Sequence, residues 1–261
     1  MEWTQKYGGY KEIQMTEPIK EERISSVSDF TFRLQSNPTS ERRLFRGQNT
    51  DKPLLPRIVR STITKGKSLS DMKKIEHKML GRFRRESVAM LGNTNKPTDL
   101  ELLSIAQHHS MPTRLLDWTE NPLAGLWFAV SDYPPKGENH GVVWMLDGPN
   151  EKTFNSNENI FNLDKTYFFQ PSHLDRRITA QSAWLSIHRP SSRQDFLPLE
   201  KHIRYRNKLK RFVIPKDLFD SLRQELRLLG ISHASLFPDL LGLSADIEVD
   251  MIKTWRSLSS I

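Results

Sequence analysis

The chain has 261 residues and a formal net charge of +8 at pH 7, with 36% hydrophobic and 27% charged residues. This composition excludes the weakly hydrophobic class of disordered chains and allows one large domain or two small ones. The absence of cysteine excludes disulfide frameworks, thiolate nucleophiles and cysteine-based metal sites. The basic excess favours a polyanionic partner, such as a nucleic acid or an acidic protein.

The hydropathy of the chain gives no sign of a membrane segment. No stretch approaches the roughly 18 consecutive apolar residues of a membrane span, and the first residues carry no apolar signal-peptide core. We therefore expect a cytoplasmic protein with no membrane partner.

Apolar spacing and capping residues predict alternating helices and short strands. In chain order they are a helix over 28–34, a strand over 43–46, a basic helix over 70–91, a helix over 98–109, a helix over 121–130, strands over 141–146, 183–187 and 211–214, and helices over 216–229 and 245–258. The segment 112–119 is predicted to be an irregular polar loop. The mixture predicts an α+β fold with a small, mostly antiparallel sheet flanked by helices.

The densest run of chemically capable side chains is QHHSMPTRLLDWTENP, over residues 107–122. It places two histidines, an arginine, an aspartate and a tryptophan between two predicted helices, a position typical of functional sites. A purely structural interpretation is also open, in which the side chains pair, pack or cap. It pairs Arg114 with Asp117, places Trp118 in the core, and assigns the next helix cap to Thr119 or Asn121.

The two adjacent histidines of this run do not indicate a metal site. His108 and His109 would point about 100° apart on a helix, and no HExxH pattern or matching carboxylate accompanies them. We assign no metal.

Several motifs together resemble the FRG domain, a prokaryotic and phage family. They are LFRGQ at 44–48, LPR at 55–57, AQHHSMPTRLLDWTENPLAGLWFAVSD at 106–132 and GVVW at 141–144. The family takes its name from the Phe-Arg-Gly type of motif that stands here at 45–47. The resemblance implies an N-terminal helical or extended segment over 1–40, an FRG core over 41–200, and a C-terminal strand and helices over 201–261 that pack on the core.

A weaker resemblance links the chain to mono-ADP-ribosyltransferases. Their first strand ends in an aromatic-Arg-Gly-like motif, and a later Ser/Thr strand precedes a helix of the AxxFA pattern, as 45–47 and 119–129 do here. This resemblance implies a split sheet of the ADP-ribosyltransferase type, NAD as substrate, and an arginine that braces the NAD phosphates. The implied cofactor-binding residues are Arg46, Gly47, Gln48, Thr113, Arg114, Trp118, Thr119 and Asn121.

The expected roles follow from the chemistry of NAD. A guanidinium offers a planar fork for the diphosphate and keeps its charge at working pH, which suits Arg46. Gly47 would let the cofactor approach the backbone, and Trp118 or His108 would stack on the nicotinamide ring.

The catalytic carboxylate departs from the transferase pattern. Cleavage of the nicotinamide bond creates an oxocarbenium-like centre that a carboxylate stabilises. The Gln/Glu-x-Glu turn of such enzymes corresponds to Gln181-Ser182-Ala183, with alanine in place of the glutamate. The residues that can replace it are Asp117, Asp239 and, as bases, His108 and His188. We favour Asp117, which can equally be an ion-pair partner of Arg114 or Arg46, and the predicted catalytic set is Arg46, Asp117, His108 and Gln181.

A second basic region, HIRYRNKLKR over 202–211, interleaves an aromatic residue with five Lys or Arg residues. Such a segment can grip phosphates while the aromatic ring stacks on a base, or it can be an ordinary solvated face. The nucleic-acid-binding candidates are Arg204, Tyr205, Arg206, Lys208 and Lys210.

These features lead to one main functional hypothesis and two alternatives. The main hypothesis is an NAD-dependent, ADP-ribosyltransferase-like toxin that modifies nucleic acid, with RNA favoured, in a toxin–antitoxin or anti-phage defence system, with an antitoxin protein as a partner. One alternative is a metal-independent ribonuclease that uses His108 and His188 as acid and base and Arg114 on the phosphate. The other is a non-catalytic module that senses a nucleotide or binds nucleic acid.

Overall fold

Seven strands in the described part of the chain form one mixed sheet. They are β1 (Lys20–Arg23), β2 (Arg43–Gln48), β3 (Leu115–Thr119), β4 (His140–Asp147), β5 (Tyr167–Phe169), β6 (Ala183–Ile187) and β7 (Leu209–Pro215). Their order across the sheet is β1-β7-β4-β2-β3-β6-β5. The β1–β7 pairing is parallel and the other pairings are antiparallel. The predicted α+β class with a mostly antiparallel sheet is therefore confirmed.

The computed structural model describes residues 18–91, 97–155, 158–172, 176–189 and 196–258. The first 17 residues of the predicted N-terminal segment lie outside these ranges. Within them the helices are α1 (Val27–Gln35), α2 (Arg57–Arg60), α3 (Leu69–Glu86), α4 (Val88–Leu91), α5 (Asp99–His108), α6 (Pro122–Val130), α7 (Arg176–Ala180), α8 (Ile203–Arg206), α9 (Phe219–Leu228), α10 (His233–Leu236) and α11 (Leu240–Leu258). None of the helices in these ranges combines the length and the apolar character that crossing a bilayer requires.

Local capping chemistry decides where the helices around the site begin. The Thr98 hydroxyl accepts from the Glu101 backbone, and the Glu101 carboxylate accepts from the Thr98 backbone in return, which forms a capping box at the start of α5. Asn121 accepts from two backbone N–H groups at the start of α6, and Pro122 takes the first helical position. Both predicted caps are confirmed.

Several predicted helix boundaries are wrong. The helix predicted over 245–258 is α11, which begins five residues earlier, at Leu240. The cap of α1 is Ser26, whose hydroxyl accepts from the backbone of Asp29, so the helix begins before residue 28. The predicted helix over 70–91 is interrupted at Ser87, which ends α3 before the short α4 begins.

The prediction of an irregular loop over 112–119 is wrong for its second half. Leu115–Thr119 is the strand β3, paired with β6 along all five residues, and it lies inside the sheet. The strand forms because Leu115, Leu116 and Trp118 are all buried, although they do not alternate strictly with polar residues. The strands β1 and β5 were not predicted, since one is wholly charged and the other has three residues.

Helix α6 packs unusually close to β2. A Cβ atom on Gly47 would lie 2.0 Å from the carbonyl oxygen of Gly125 and 2.6 Å from the backbone nitrogen of Ala129. Glycine at position 47 is therefore required by the approach of α6, a reason that the sequence did not reveal, while the approach of a cofactor to Gly47 stays a prediction.

Candidate functional site

The two halves of the sheet meet at a gap between β2 and β3. Strand β2 pairs with β4 along six residues and β3 pairs with β6 along five, but β2 and β3 share only the pair Phe45–Thr119. Past that pair the two strands are not joined by ladder pairing. The side chain of Arg46 enters this gap, where its Nη1 donates to the carbonyl oxygen of Asp117 at 2.8 Å. The expected convergence of Arg46 with the segment around Asp117 is confirmed.

The guanidinium of Arg46 is largely withdrawn from solvent, with its side chain 16% exposed. Burial lowers its pKa, the Asp117 charge opposes that shift, and the charge of Arg60 adds to it. A guanidinium nevertheless remains protonated at working pH. Its Nε is buried and has no hydrogen-bond partner among the described residues. The site therefore holds a cation with an unused donor.

Gln48 presents a second unused polar atom on the same face of β2, two residues along the strand. Its amide Nε2 donates to the carbonyl oxygen of Lys52 at 3.2 Å, while its buried Oε1 lacks a partner in the ranges described. Buried polar atoms without partners are costly and are uncommon outside sites that receive a ligand or water. Arg46 and Gln48 thus mark one face of the gap as a candidate ligand site.

The carboxylate of Asp117 stands at the mouth of the gap and is 63% exposed. Its Oδ2 lies 3.6 Å from Nη1 of Arg46, and its oxygens accept from Nε2 of Gln107 at 3.2 and 3.3 Å. Gln107 is held in turn by the Thr113 hydroxyl, which donates to its Oε1 at 2.5 Å. The carboxylate is therefore oriented by an amide but remains open to a substrate.

Arg114 is not part of this open site. It is one of the largest fully buried side chains of the described residues, and its guanidinium forms an ion pair with Glu76 of α3, with Nε donating to Oε2 at 2.7 Å. The backbone N–H of Arg114 also donates to Glu76 Oε1 at 3.1 Å. Both the predicted ligand role of Arg114 and its predicted pairing with Asp117 are wrong, because Glu76 takes all of these contacts.

Trp118 is also used by the fold. Its ring is buried, and its Nε1 donates to the hydroxyl of Ser186 at 2.9 Å. The same hydroxyl lies 2.9 Å from Nε2 of His188. A ring enclosed in this way cannot stack on a nicotinamide, so the structural interpretation of Trp118 holds.

His188 is buried and uncharged. Burial lowers its pKa to about 3, and the charges of Arg46, His202 and Arg114 contribute in the same direction. A neutral imidazole at this position cannot act as a general acid near pH 7. This weakens the ribonuclease alternative, which needs a second histidine that can exchange protons.

Thr119 and Asn121 connect β3 to α6 through hydrogen bonds. The Thr119 hydroxyl donates to the carbonyl oxygen of Gln181 at 2.5 Å and accepts from the Asn121 backbone N–H at 2.9 Å. The Asn121 side chain caps α6. Both residues were implied to bind the cofactor, but their side chains already form hydrogen bonds within the fold.

Gln181 and Asp239, the other residues considered in place of the catalytic glutamate, contact groups outside the candidate site. The amide of Gln181 donates to the carbonyl oxygen of Leu236 at 3.1 Å, and Asp239 forms an ion pair with Arg177 at 2.5 Å. Ala183 stands at the start of β6, opposite Thr119. Among Asp117, Gln181 and Asp239, only Asp117 contacts Arg46.

His108 lies at the end of α5, with its ring edge-on to His109 at a centroid distance of 5.0 Å. It lines a cavity of about 1530 Å³ that also includes Trp184 and Phe169. Neither this cavity nor a smaller one beside Trp127 is lined by Arg46 or Asp117. The catalytic role of His108 stays a prediction.

The basic segment 202–211 divides into exposed and buried residues. Arg204 and Lys208 are exposed and Arg206 is half-buried. Tyr205 is 2% exposed, and its hydroxyl donates to the carbonyl oxygen of Thr166 at 2.6 Å. Lys210 is buried, with its Nζ 2.5 Å from Glu22 Oε1. Stacking of Tyr205 on a base and phosphate binding by Lys210 are thus wrong.

The site that emerges is a cationic gap in a mixed α+β sheet, bordered by an open carboxylate. Residues 41–138 of the chain match the family model of the FRG domain, as the motifs predicted. The match includes β2, α2, β3 and α6, and with them Arg46 and Asp117. No curated protein and no solved structure matches the chain.

Sequence reasoning missed two residues that shape the site. Gln107 was noted as part of the motif, but its contact with Asp117 was not expected. Glu76 carried a signal, because it lies four residues from both Met72 and Leu80 on the buried stripe of α3. A carboxylate in an apolar stripe needs a cationic partner, and only the fold shows that the partner is Arg114.

Proposed function

We propose that the FRG domain of this chain binds NAD at the gap between β2 and β3 and transfers ADP-ribose to RNA. The observation that carries the proposal is the guanidinium of Arg46, which has an unused buried donor and lies beside the exposed carboxylate of Asp117. A diphosphate needs a fixed planar cation, and a developing oxocarbenium ion needs a nearby carboxylate. The gap offers both a guanidinium and a carboxylate, since Arg46 and Asp117 lie side by side.

In the proposed reaction Arg46 holds a phosphate oxygen, and the carboxylate of Asp117 faces the nicotinamide ribose. The bond between ribose C1′ and the nicotinamide nitrogen breaks, and its electron pair leaves with nicotinamide, which becomes neutral. A nucleophilic atom of the RNA then bonds to C1′, and its proton passes to Asp117 or to water. Gln107 keeps the carboxylate oriented through its two amide contacts.

RNA is the proposed acceptor because the chain carries a formal net charge of +8 and presents exposed cations. Lys73, Lys74 and Lys78 on α3 and Arg204 and Lys208 near β7 are exposed. Such cations support binding to the phosphate backbone without reading its sequence. We place the activity in a toxin–antitoxin or anti-phage defence setting, in line with the resemblance noted above, with an antitoxin as the silencing partner.

The test is to incubate the folded protein with NAD labelled in its adenylate half and with RNA. We expect label on the RNA and release of nicotinamide, both lost in Arg46→Ala and retained in Arg82→Ala. Arg82 is a matched control, because it lies exposed on α3 and its ion-pair partner in the described part of the chain is Glu86, at 2.8 Å. Folded wild-type protein that neither labels RNA nor consumes NAD would defeat the proposal.

A second candidate function is nucleotide sensing without turnover. It is favoured by the alanine at position 183 and by the amide of Gln181, which is bound to Leu236. Calorimetry that detects NAD binding to a protein with no turnover would select this candidate.

A further inference from the structure

The short helix α2 adds two arginines to the border of the site. Its backbone is tied to the chain that leads into β3, since the N–H of Ile58 donates to the carbonyl oxygen of Thr113 at 3.1 Å. Nη1 of Arg57 donates to the carbonyl oxygen of Ser110 at 2.7 Å. Nε of Arg60 donates to the carbonyl oxygen of Leu55 at 3.1 Å. These contacts place α2 next to the segment that carries Asp117.

Neither arginine of α2 is neutralised. Within the described ranges, no carboxylate lies within 4.0 Å of Arg57 or Arg60. Five other arginines each have a carboxylate at ion-pair distance: Arg42, Arg43, Arg114, Arg177 and Arg211. Burial lowers the pKa of Arg60, and the charge of Arg57 lowers it further. The charge of Arg60 in turn reaches Arg46. The charges of Arg57 and Arg60 thus repel each other, as do those of Arg60 and Arg46, and a bound anion would relieve both repulsions.

We propose that Arg57 and Arg60 join Arg46 in binding the diphosphate of a nucleotide, which makes a nucleoside diphosphate the ligand class of this gap. The identification of that nucleotide as NAD rests on the proposed function. Two phosphate groups present more oxygens than one guanidinium can pair. The guanidinium groups of Arg57 and Arg60 supply the further donors. Each α2 arginine uses one donor on a backbone carbonyl and keeps others for the ligand.

The depth of the site favours a small anion over an RNA backbone. Arg46 is 16% exposed and its free Nε is buried, as is Oε1 of Gln48. We expect a small diphosphate to approach such withdrawn atoms more readily than the phosphate of a polymer, whose neighbouring nucleotides must also be accommodated.

The test is calorimetry with inorganic pyrophosphate and with ADP-ribose, neither of which requires turnover. We expect Arg57→Ala/Arg60→Ala to weaken the binding of both by about 100-fold, because two charge-assisted contacts are lost. Arg57→Lys/Arg60→Lys should recover part of the affinity, since the charges remain without the planar forks. Arg82→Ala should change it less than about twofold, as expected for an arginine far from any phosphate. Melting curves identify variants that fail to fold.

The outcomes separate this inference from the proposed function. If the wild type binds ADP-ribose through α2 but does not consume NAD, the inference stands and the transferase proposal fails. If the double variant keeps the wild-type affinity for ADP-ribose and pyrophosphate, the inference is wrong even when NAD is consumed. Loss of affinity for single-stranded RNA alone would make α2 an RNA surface and overturn the inference, as would folded wild-type protein that binds neither pyrophosphate nor ADP-ribose.

Discussion

Glu76 and Arg114 form a buried ion pair that fixes the start of β3 to the middle of α3. Both side chains are 2% exposed, and the carboxylate also accepts the backbone N–H of Arg114. Arg114, which directly precedes the strand of Asp117, therefore donates three hydrogen bonds to a single carboxylate. The geometry of the candidate site depends on a contact between positions 38 residues apart.

Removing one partner of this pair should be strongly destabilising. We expect Glu76→Ala to lower the free energy of unfolding by about 3–5 kcal/mol, because the guanidinium of Arg114 stays buried without a counterion. Chemical denaturation measures the effect. The control is Glu86→Ala, which breaks an exposed pair with Arg82 and should cost less than about 1 kcal/mol. Equal costs for the two variants would show that Arg114 is hydrated.

The close contact between β2 and α6 gives a second prediction. Gly47→Ala should destabilise the protein by about 3 kcal/mol, because the added Cβ meets backbone atoms that cannot rotate away. Gly81→Ala should instead stabilise it by about 0.5–1 kcal/mol, since Gly81 is inside α3 and its nearest neighbour is 3.8 Å away. Thermal and chemical denaturation of both variants check the contrast, and a tolerated Gly47→Ala would contradict the packing.

The neutral state of His188 predicts a dependence of stability on pH. The pKa of His188 is lowered from 6.5 to about 3 in the folded state, so between these values the unfolded chain binds more protons. The contribution of His188 is complete above pH 6.5 and is lost as the pH falls toward 3. The loss amounts to about 1.4 kcal/mol per pH unit at most.

The measurement is the free energy of unfolding from pH 7 to pH 4, for wild type and for His188→Gln. The difference between the two should shrink as the pH falls, because the variant lacks the titrating ring while the carboxylates contribute equally to both. A constant difference across this range would mean that the pKa of His188 is the same in the folded and the unfolded chain, which would contradict the lowered pKa.

Asp117 should affect catalysis far more than ligand binding. We expect Asp117→Asn to reduce NAD consumption by about 100- to 1,000-fold, because a neutral amide cannot stabilise the developing positive charge. Its affinity for ADP-ribose should change little, since that ligand has already lost nicotinamide. Asp132→Asn, at an exposed position after α6, is the control. Equal loss of binding and turnover in Asp117→Asn would assign the carboxylate to positioning Arg46.

The burial pattern of the basic segment predicts which of its cations meet RNA. Arg204→Ala/Lys208→Ala should weaken RNA binding and reduce the salt slope by about 1.4, the value for two phosphate contacts on a single strand. Lys210→Met should leave the salt slope unchanged but lower stability, because Glu22 loses its nearest cation. Fluorescence anisotropy of labelled RNA over a salt series distinguishes the two variants. A reduced salt slope for Lys210→Met would contradict the burial of Lys210.

The sequence predicted well the features that depend on neighbouring residues. The caps at Thr98 and Asn121 and the glycine after α9 at position 230, with a φ of 81°, are local signals. The strand β3 was missed because polar residues in it and next to it have partners far along the chain. The Thr119 hydroxyl donates to the carbonyl oxygen of Gln181, and Arg114, just before the strand, pairs with Glu76.

In the candidate site too, the sequence predicted some features correctly and missed those that depend on distant partners. Arg46 and Asp117 were predicted to meet, because both were assigned to the catalytic set and Asp117 was considered an ion-pair partner of Arg46. The stacking roles predicted for Trp118 and Tyr205 were wrong. An aromatic residue inside a polar motif gives no sign in the sequence of whether its ring is buried or exposed. Their partners, Ser186 and the carbonyl of Thr166, lie 68 and 39 residues away along the chain.

The contact between Gly47 and Gly125 separates what must be conserved for folding from what can vary for recognition. The backbone of α6 supports the strand of Arg46 from behind, so any side chain at position 47 would displace the scaffold. Arg57 and Arg60 donate to the backbone carbonyl oxygens of Ser110 and Leu55, and neither is among the atoms nearest to Gly47. A substitution at either arginine therefore changes the charge of a four-residue helix and adds nothing between β2 and α6.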